Sequence, residues 1–324
     1  MRSQTRSRER GGAPVQLKHV LEVDQFRRSD LDHIFAHALT MRAIAKHGTD
    51  NRLHDKILAT LFYEPSTRTR LSFESAMQRL GGQVISSEMA AETSSAAKGE
   101  TIQDTVRIVE SYSDVIAIRH PDAGTSAAAA GVASVPILNA GDGAREHPTQ
   151  ALLDLFTIGD ELGRIDDFAI ALVGDLRYGR APRSLAKLLT QVNGCRIIMV
   201  TPPGIEMAQD VLDALIASDV AFELESDLSA VVGRVDVVYM TRVQKERFPS
   251  EEEYSAVQGR YQLDPALLEG LRDDAIIMHP LPRVGEIHPG IDADPRAAYF
   301  RQARNGVFVR MALLDLLLNN QSQD

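Results

Sequence analysis

The sequence predicts an α/β protein of two domains, each a mostly parallel β-sheet flanked by helices. The chain has 324 residues, which suits two domains of ordinary size. Short apolar runs alternate with longer segments of helical periodicity, and strands that alternate with helices form parallel sheets covered on both faces. The same rhythm occurs in both halves of the chain, with roughly four strands in each.

In the first half, the apolar run Ile57–Tyr63 predicts a buried strand. Apolar residues then recur at helical spacing between Phe73 and Leu80, and a glycine pair directly after them ends that helix. Ile102–Val109 predicts a second helix by the same spacing. Two further strands are predicted at Val115–Ile118 and Val135–Leu138.

In the second half, the predicted strands are Phe168–Val173, Arg196–Val200, Val235–Met240 and Ala275–Met278. The predicted helices are Pro148–Leu162, Pro182–Val192, Met207–Ala217, Pro265–Leu271 and Pro295–Leu318. We place the join between the domains at the helix that begins at Pro148. The first domain is then 1–147 and the second 148–294, and we expect the final helix, in 295–324, to pack back on the first domain.

Composition and charge exclude several classes of protein. Hydrophobic residues make up 44% and charged residues 25%, as in soluble globular proteins. The net charge of −10 argues against a general nucleic-acid binder, and there is no run of about 18 apolar residues that could span a membrane. We therefore expect a cytoplasmic protein. Arg2–Arg10 is rich in arginine but has no apolar face, and we interpret it as a disordered tail rather than a targeting segment.

The single cysteine, Cys195, excludes an internal disulfide and any multi-cysteine metal site. It precedes the apolar run Arg196–Val200, which favours a buried core thiol over a nucleophile.

Basic and polar residues follow the predicted strands, at the edge of the sheets where open parallel sheets bind ligands. His147 follows Val135–Leu138, and the sequence between Val173 and the next helix contains Gly174-Asp175. Arginines come shortly after five of the other six predicted strands, at Arg68, Arg119, Arg180, Arg242 and Arg283. A set of arginines at one edge predicts a site for anions, whatever the net charge of the whole protein.

Ser66–Arg70 stands where a helix begins. The free N–H groups of a first helical turn and the helix dipole favour a phosphate there, and Arg68 adds a bidentate donor. The alternative is an ordinary capped helix with a surface arginine, but capping accounts for one hydroxyl and not for three beside two arginines. The segment Ser66–Arg70 is not a Walker A loop, because the Gly-x4-Gly-Lys pattern is absent.

Other signals are weaker. His147 precedes a helix, where a lone histidine is often a cap or surface residue. Gly174-Asp175 lacks the rest of a dinucleotide-binding pattern, and no Ser-His-Asp order or zinc-ligand spacing occurs. Glu64, Arg70 and Arg283 could be structural ion pairs, and Lys98 could be a solvated lysine of a polar loop.

Several of these motifs occur in the order of a known family. Ser66–Arg70 resembles the carbamoyl-phosphate signature of the carbamoyltransferases. Arg119–Pro121, His147–Gln150 and His279–Pro282 follow in that family's order, and the similarity runs from about Ile57 to Ile287. Several motifs in order are far more specific than one alone.

The substrate differs between branches of this family. Ornithine enzymes typically carry a cysteine where Pro280 stands, and a Ser-Met-Gly loop that does not occur here. Met240–Arg247 instead resembles the aspartate-binding loop, in which Arg242 suits a carboxylate and would repel the ammonium group of ornithine. Lys98–Thr101 also resembles the aspartate branch, with Ser94 upstream.

The resemblance implies a role for each matching residue. It assigns the phosphate to Ser66, Thr67, Arg68, Thr69 and Arg119. It assigns polarisation of the carbonyl oxygen to Arg68, Thr69, Arg119 and His147, and the carbamoyl amide to Gln150 and the backbone around Leu281 and Pro282. It assigns the carboxylates of aspartate to Lys98, Arg180, Arg242 and Gln244. Lys98 and Ser94 would reach a neighbouring subunit's site, which implies a homotrimer with shared sites.

The implied reaction is attack of the L-aspartate amine on carbamoyl phosphate, through a tetrahedral intermediate, to give N-carbamoyl-L-aspartate for pyrimidine biosynthesis. Carbamoyl phosphate is already activated, so the reaction needs no cofactor or metal. The first domain would bind carbamoyl phosphate and the second aspartate. Two alternatives are a carbamoyltransferase for another amino acid and a catalytically silent assembly subunit. Whether a regulatory chain or a dihydroorotase joins the trimer stays open.

Overall fold

A computed structural model describes residues 17–88, 99–242, 250–257 and 261–319. Its strands are β1 Ile57–Phe62, β2 Gln83–Glu88, β3 Val115–His120, β4 Ile137–Asp142, β5 Ala169–Val173, β6 Arg196–Val200, β7 Ala221–Glu225, β8 Val237–Met240 and β9 Ile276–Met278. Its helices are α1 Arg28–His47, α2 Thr67–Arg79, α3 Ile102–Val109, α4 Thr125–Ala130, α5 Pro148–Leu162, α6 Arg180–Leu188, α7 Gln209–Ala217, α8 Glu251–Val257, α9 Pro265–Glu269 and α10 Tyr299–Asn319.

The strands form two sheets, and every strand pair in them is parallel. The first sheet has the order β2-β1-β3-β4 and the second has the order β7-β6-β5-β8-β9. Helices connect successive strands, except that the two 3-10 turns Leu228–Ala230 and Val232–Arg234 connect β7 to β8. These crossovers let all strands of a sheet run in the same direction. The predicted fold class, two α/β domains with parallel sheets, is confirmed.

Both faces of each sheet are buried. In β1, Leu58 and Phe62 join the largest apolar core, whereas Ala59 and Leu61 belong to a separate cluster on the opposite face. In β5, alternate residues divide in the same way between two clusters. The largest core is continuous from the first sheet to the second, because α5 and α10 contribute residues between them. Continuous apolar strands are typical of parallel sheets, since helices cover each face.

The last helix, α10, packs against α1, α2 and α5. It is also tied to α5 by Arg301, whose Nε lies 2.7 Å from Glu161 Oε1. The expected packing of the final helix against elements of the first half is therefore observed. The division of the chain at residues 147 and 148 stays a prediction.

The sequence did not predict two of the four edge strands, β2 and β7, nor the helices α1, α4 and α8. Exposed residues occur along β2 and β7, so these strands lack the continuous apolar runs by which buried strands were predicted. The other two edge strands, β4 and β9, are buried along their length. The predicted helix Pro182–Val192 ends earlier, at Leu188, and continues as the 3-10 turn Leu189–Gln191. The final helix begins at Tyr299, because Ala297 is paired with β9.

Cys195 is buried directly before β6, and burial raises the pKa of its thiol to about 12. A thiol that stays protonated is a poor nucleophile, which confirms the interpretation as a core residue. Among the helices of the described ranges, none is both long and apolar enough to cross a membrane.

Candidate active site

One cavity of about 630 Å³ lies where the carboxyl ends of strands from both sheets meet. Its walls come from the end of β3, from the loops after β1, β4, β5, β8 and β9, and from the helices α2, α5 and α10. The predicted site residues that line it are Ser66, Thr67, Arg68, Thr69, Arg119, His147, Gln150, Arg180, Arg242, Leu281 and Pro282. Lys98 and Gln244, together with Ser94 and Arg247, lie outside the described residues.

The start of α2 forms one wall of the cavity. Ser66 is the N-cap residue, but its side chain makes no capping hydrogen bond. The interpretation of Ser66 as an ordinary capping residue is therefore wrong, and its hydroxyl can serve a ligand beside the N–H groups of the first turn. Thr69 is buried and also lines the cavity. Partial burial lowers the pKa of Arg68, and no carboxylate of the described residues pairs with it.

Arg70 is directed away from the cavity. Its Nη1 lies 3.2 Å from Glu74 Oε1, and its Nη2 lies 2.9 Å from Glu88 Oε2. It also donates to the hydroxyl of Ser86 on the edge strand β2. The two arginines of the motif thus differ. Arg68 lines the cavity, whereas Arg70 forms structural ion pairs, which was one of the alternatives for it in the sequence.

Arg119 and Arg180 approach each other across the cavity floor, with Glu64 between them. Glu64 Oε2 lies 3.3 Å from Arg119 Nε and 3.3 Å from Arg180 Nη1. Arg180 also donates to the carbonyl of Gly143 at 2.7 Å. Burial first, and then the charge of Arg180, lower the pKa of Arg119 to about 9, although Glu64 opposes this shift. One carboxylate thus faces two guanidinium groups, and the excess positive charge favours an anion.

Gly141 allows both guanidinium groups to approach the end of β4. A Cβ atom at this position would lie 3.1 Å from Arg119 Nη1 and 3.2 Å from Arg180 Cζ. Its φ of +127° is also a conformation that other residues rarely adopt. A side chain here would displace the two arginines from the cavity floor.

His147 is the N-cap residue of α5 and is buried, so it is not the surface residue that the sequence left open. Its backbone N–H donates to Ser184 Oγ at 3.0 Å, and Ser184 Oγ in turn donates to Glu146. Burial, followed by the charges of Arg180, Arg119 and Arg310, lowers the pKa of His147 well below its usual value. A neutral imidazole can donate one N–H to a ligand oxygen without adding a charge.

The loop after β9 presents backbone groups to the cavity. His279 Nδ1 accepts from the N–H of Leu281 at 2.7 Å, and its Nε2 lies 2.7 Å from Glu286 Oε1. An imidazole nitrogen that accepts from an N–H is unprotonated, so His279 donates from Nε2 to the carboxylate. Leu281 has a φ of +54° and precedes a cis Pro282. This turn places Leu281 and Pro282 in the cavity wall.

Sequence reasoning missed several residues of the cavity wall, among them Gln302, Tyr178 and Arg310. Arg310 is buried in α10, where its Nη1 donates to Ser72 Oγ at 2.9 Å, and burial lowers its pKa to about 10. The sequence contains a signal for it: an arginine within the apolar run Val307–Leu318 is unusual in a buried helix.

Comparisons with known proteins agree with this geometry. Residues 18–160 match the family model "Aspartate/ornithine carbamoyltransferase, carbamoyl-P binding domain", and residues 166–317 match the Asp/Orn binding domain of the same family. The chain is 53% identical to the chloroplastic aspartate carbamoyltransferase of Arabidopsis thaliana, over 94% of this chain and 78% of that protein. The M. jannaschii aspartate transcarbamoylase catalytic subunit has a TM-score of 0.89 at 43% identity, covering 95% of this chain and all of that one.

A second solved structure contains a ligand. The aspartate transcarbamoylase of Trypanosoma cruzi, in complex with N-(phosphonacetyl)-L-aspartic acid, has a TM-score of 0.86 at 42% identity. The similarity covers 94% of this chain and 98% of that chain.

The two arginines of the α2 motif allow a matched test of anion binding. We expect Arg68→Ala to weaken the binding of inorganic phosphate about 10- to 150-fold, because a hydrogen bond to a charged group contributes about 1.5–3 kcal/mol. Arg70→Ala removes the same charge from the same helix but should leave the affinity nearly unchanged. Isothermal titration calorimetry measures both, and equal losses in the two variants would contradict the assignment.

The neutral state of His147 predicts a dependence of stability on pH. The unfolded imidazole has its usual pKa near 6.5, whereas the pKa in the folded protein is well below it. The unfolded state therefore binds more protons as the pH falls below that value, and stability decreases. Between pH 7 and pH 5.5, the parent should lose about 1 kcal/mol more free energy of unfolding than His147→Gln. Urea titrations at the two pH values measure this difference, and equal losses would show that His147 is protonated in the folded state.

Proposed function

We propose that this chain, which belongs to the aspartate/ornithine carbamoyltransferase family, transfers the carbamoyl group of carbamoyl phosphate to the amine of L-aspartate. The products are phosphate and N-carbamoyl-L-aspartate, the first committed intermediate of pyrimidine biosynthesis. One observation carries the proposal: arginines of both halves of the chain, Arg68 and Arg119 with Arg180 and Arg242, line one cavity. Two anionic substrates that must react with each other require such a site.

The phosphate of carbamoyl phosphate binds at the start of α2 in this proposal. Ser66 and Thr67 supply hydroxyls and N–H groups there, and Arg68 supplies a guanidinium with no carboxylate partner among the described residues. Arg119 closes the phosphate site from the end of β3. Glu64 pairs with Arg119 through Nε, and the carbonyl of Ala140 accepts from its Nη1 at 3.4 Å, which leaves Nη2 for the substrate.

The carbonyl oxygen of the carbamoyl group becomes an oxyanion when the amine attacks. Thr69, Arg119 and His147 are the donors for it in this proposal, and His147 contributes a neutral N–H. Donors that are fixed before the reaction stabilise the developing charge without reorganising, and the loss of one typically costs about 10²–10³ in rate. Orientation of the two substrates supplies the remainder, so no covalent intermediate is required.

The carbamoyl NH2 group needs acceptors. Gln150, in the first turn of α5, and the backbone at Leu281 and Pro282 lie in the cavity wall, and their carbonyl oxygens are the acceptors in this proposal. These groups approach from two sides, so they also hold the plane of the carbamoyl group against the incoming amine. The attacking nitrogen must lose a proton, and the phosphate group of carbamoyl phosphate is the proposed acceptor.

The carboxylates of aspartate are bound by Arg180 and Arg242, with Gln244 and Lys98 as further ligands. Arg180 is held by Glu64 and by the carbonyl of Gly143, which fixes its planar guanidinium for bidentate binding. An ornithine side chain would bring its ammonium group among these cations, and the repulsion disfavours that alternative. A silent assembly subunit would have no need for such a complete set of ligands.

We also propose a homotrimer in which Lys98 acts in a neighbouring subunit's site. The segment that carries Lys98 lies between β2 and α3. Each of these elements exposes a large apolar side chain, with Ile85 40% and Ile108 54% accessible in the single chain, and burial of such side chains against a neighbouring subunit would favour the assembly. A regulatory chain or a dihydroorotase as a further partner, and a cytoplasmic location, remain predictions.

Arg242 provides the test of the substrate. We expect Arg242→Ala to raise the KM for aspartate about 10- to 150-fold, because it removes a charged hydrogen-bond donor to a carboxylate. The affinity for carbamoyl phosphate should change little. Arg234→Ala, which removes the same charge from a surface residue paired with Glu223, is the control and should leave both values unchanged.

Phosphate release in steady-state assays with aspartate and with ornithine measures these effects. Turnover of ornithine in place of aspartate would contradict the proposed substrate. Absence of turnover with any amino acid would favour the silent subunit.

Shared sites predict that two inactive variants restore each other. Arg68→Ala and Lys98→Ala should each have little activity alone, and mixing them under conditions that exchange subunits should restore activity. A mixed trimer contains one interface at which an intact Arg68 meets an intact Lys98 of its neighbour. Arg68→Ala mixed with Arg119→Ala is the control, because both residues come from the same chain and no intact site can form. Recovery that is equal in the two mixtures, or absent from both, would contradict a shared site.

A further inference from the structure

Asp154 is a fully buried carboxylate directly behind the cavity. It lies on α5 one turn after Gln150, and it has no exposed surface. It is not part of the cavity wall. Three side chains donate hydrogen bonds to it: Gln150 Nε2 at 2.8 Å, Gln302 Nε2 at 2.7 Å and the hydroxyl of Tyr239 at 2.7 Å.

The two carboxamides share one oxygen of this carboxylate. Gln150 and Gln302 both donate to Oδ1, whereas Tyr239 donates to Oδ2. An ionised carboxylate accepts hydrogen bonds and cannot donate them, so each glutamine must turn its NH2 group toward Asp154. The carbonyl oxygen of each planar carboxamide then points away from the carboxylate. Asp154 thereby determines which end of Gln150 is available to the cavity.

The second glutamine extends the network to the loop after β9. Gln302 Oε1 accepts from the backbone N–H of His279 at 2.9 Å, and His279 Nδ1 accepts from the N–H of Leu281 at 2.7 Å. The position of the Leu281–Pro282 turn therefore depends on Gln302, whose orientation depends on Asp154. One buried carboxylate is connected to both groups that supply carbonyl oxygens to the cavity wall.

We propose that Asp154 is a positioning residue that makes the site select the NH2 group of an acyl phosphate. It aligns Gln150 Oε1 and the Leu281 turn as two hydrogen-bond acceptors, and a carbamoyl group satisfies both through its two N–H bonds. A methyl group at the same place, as in acetyl phosphate, leaves both acceptors unsatisfied, and a site built on hydrogen bonds strongly rejects such an analogue. The inference rests on the proposed function.

The state of the carboxylate agrees with this role. Burial raises the pKa of Asp154 to about 7, although the three hydrogen bonds and the charge of Arg310 oppose the shift. Protonation on Oδ2 would leave Oδ1 as an acceptor, because the hydroxyl of Tyr239 can accept as well as donate. The two glutamines keep their orientation in either state, so an asparagine at this position can replace the carboxylate.

The experiment compares the dissociation constants of carbamoyl phosphate, acetyl phosphate and inorganic phosphate. Asp154→Ala should weaken carbamoyl phosphate at least tenfold relative to acetyl phosphate and leave inorganic phosphate nearly unchanged. Asp154→Asn keeps the Oδ1 acceptor and should restore the selectivity. Tyr239→Phe removes a hydrogen bond to the other oxygen and should leave the selectivity unchanged, even where it lowers stability.

A merely structural role predicts a different result, in which all three ligands weaken together. If Asp154→Ala does not fold, Gln302→Leu tests the connection to the Leu281 turn and should also lower the selectivity. The inference is overturned if a folded variant of either kind keeps the parent's ratio of carbamoyl phosphate affinity to acetyl phosphate affinity. A parent protein that does not carbamoylate aspartate would instead overturn the proposed function, so the two failures are distinguishable.

Discussion

The pairing of Glu64 with Arg119 and Arg180 is the interaction on which the rest of the site depends. Arg119 lies near the end of β3 in the first sheet and Arg180 begins a helix after a strand of the second, so one carboxylate connects the two sheets. Two guanidinium groups this close repel each other, and Glu64 offsets part of that repulsion. The remaining positive charge gives the cavity its affinity for anions, and a bound phosphate would complete the neutralisation.

A continuous apolar core holds the two sheets in position around this charged centre. α5 and α10 lie in that core, and both also contribute polar residues to the cavity. Arg310 illustrates the arrangement: its guanidinium lies 4.9 Å above the ring of Phe73 and donates to Ser72 on α2. Polar groups in such a core must be hydrogen-bonded, and this requirement accounts for the networks behind the site.

The buried groups around the cavity differ in charge for physical reasons. His147 lies among arginines and stays neutral, because burial and the neighbouring cations both disfavour a positive charge on its imidazole. Asp154 has a raised pKa from the same burial, but it accepts three hydrogen bonds and so keeps a fixed geometry. The site thus combines charged groups that bind anions with neutral or acceptor groups that orient them.

The sequence by itself determined the fold class, the buried strands and most of the groups at the strand ends. Buried strands such as Ile57–Phe62 are apolar apart from single residues such as Thr60, because both faces are covered, and a motif such as Ser66–Arg70 is local. The edge strands β2 and β7 could not be predicted by the same reasoning, since exposed residues interrupt them.

Only the tertiary structure decided which polar residues act together. Arg68 and Arg70 look equivalent in the sequence, and the position of β2 makes one of them structural. Glu64, Asp154 and Arg310 gain their importance from partners far along the chain. Hydrogen bonds and burial depend on distances between such residues, and a linear pattern does not contain those distances.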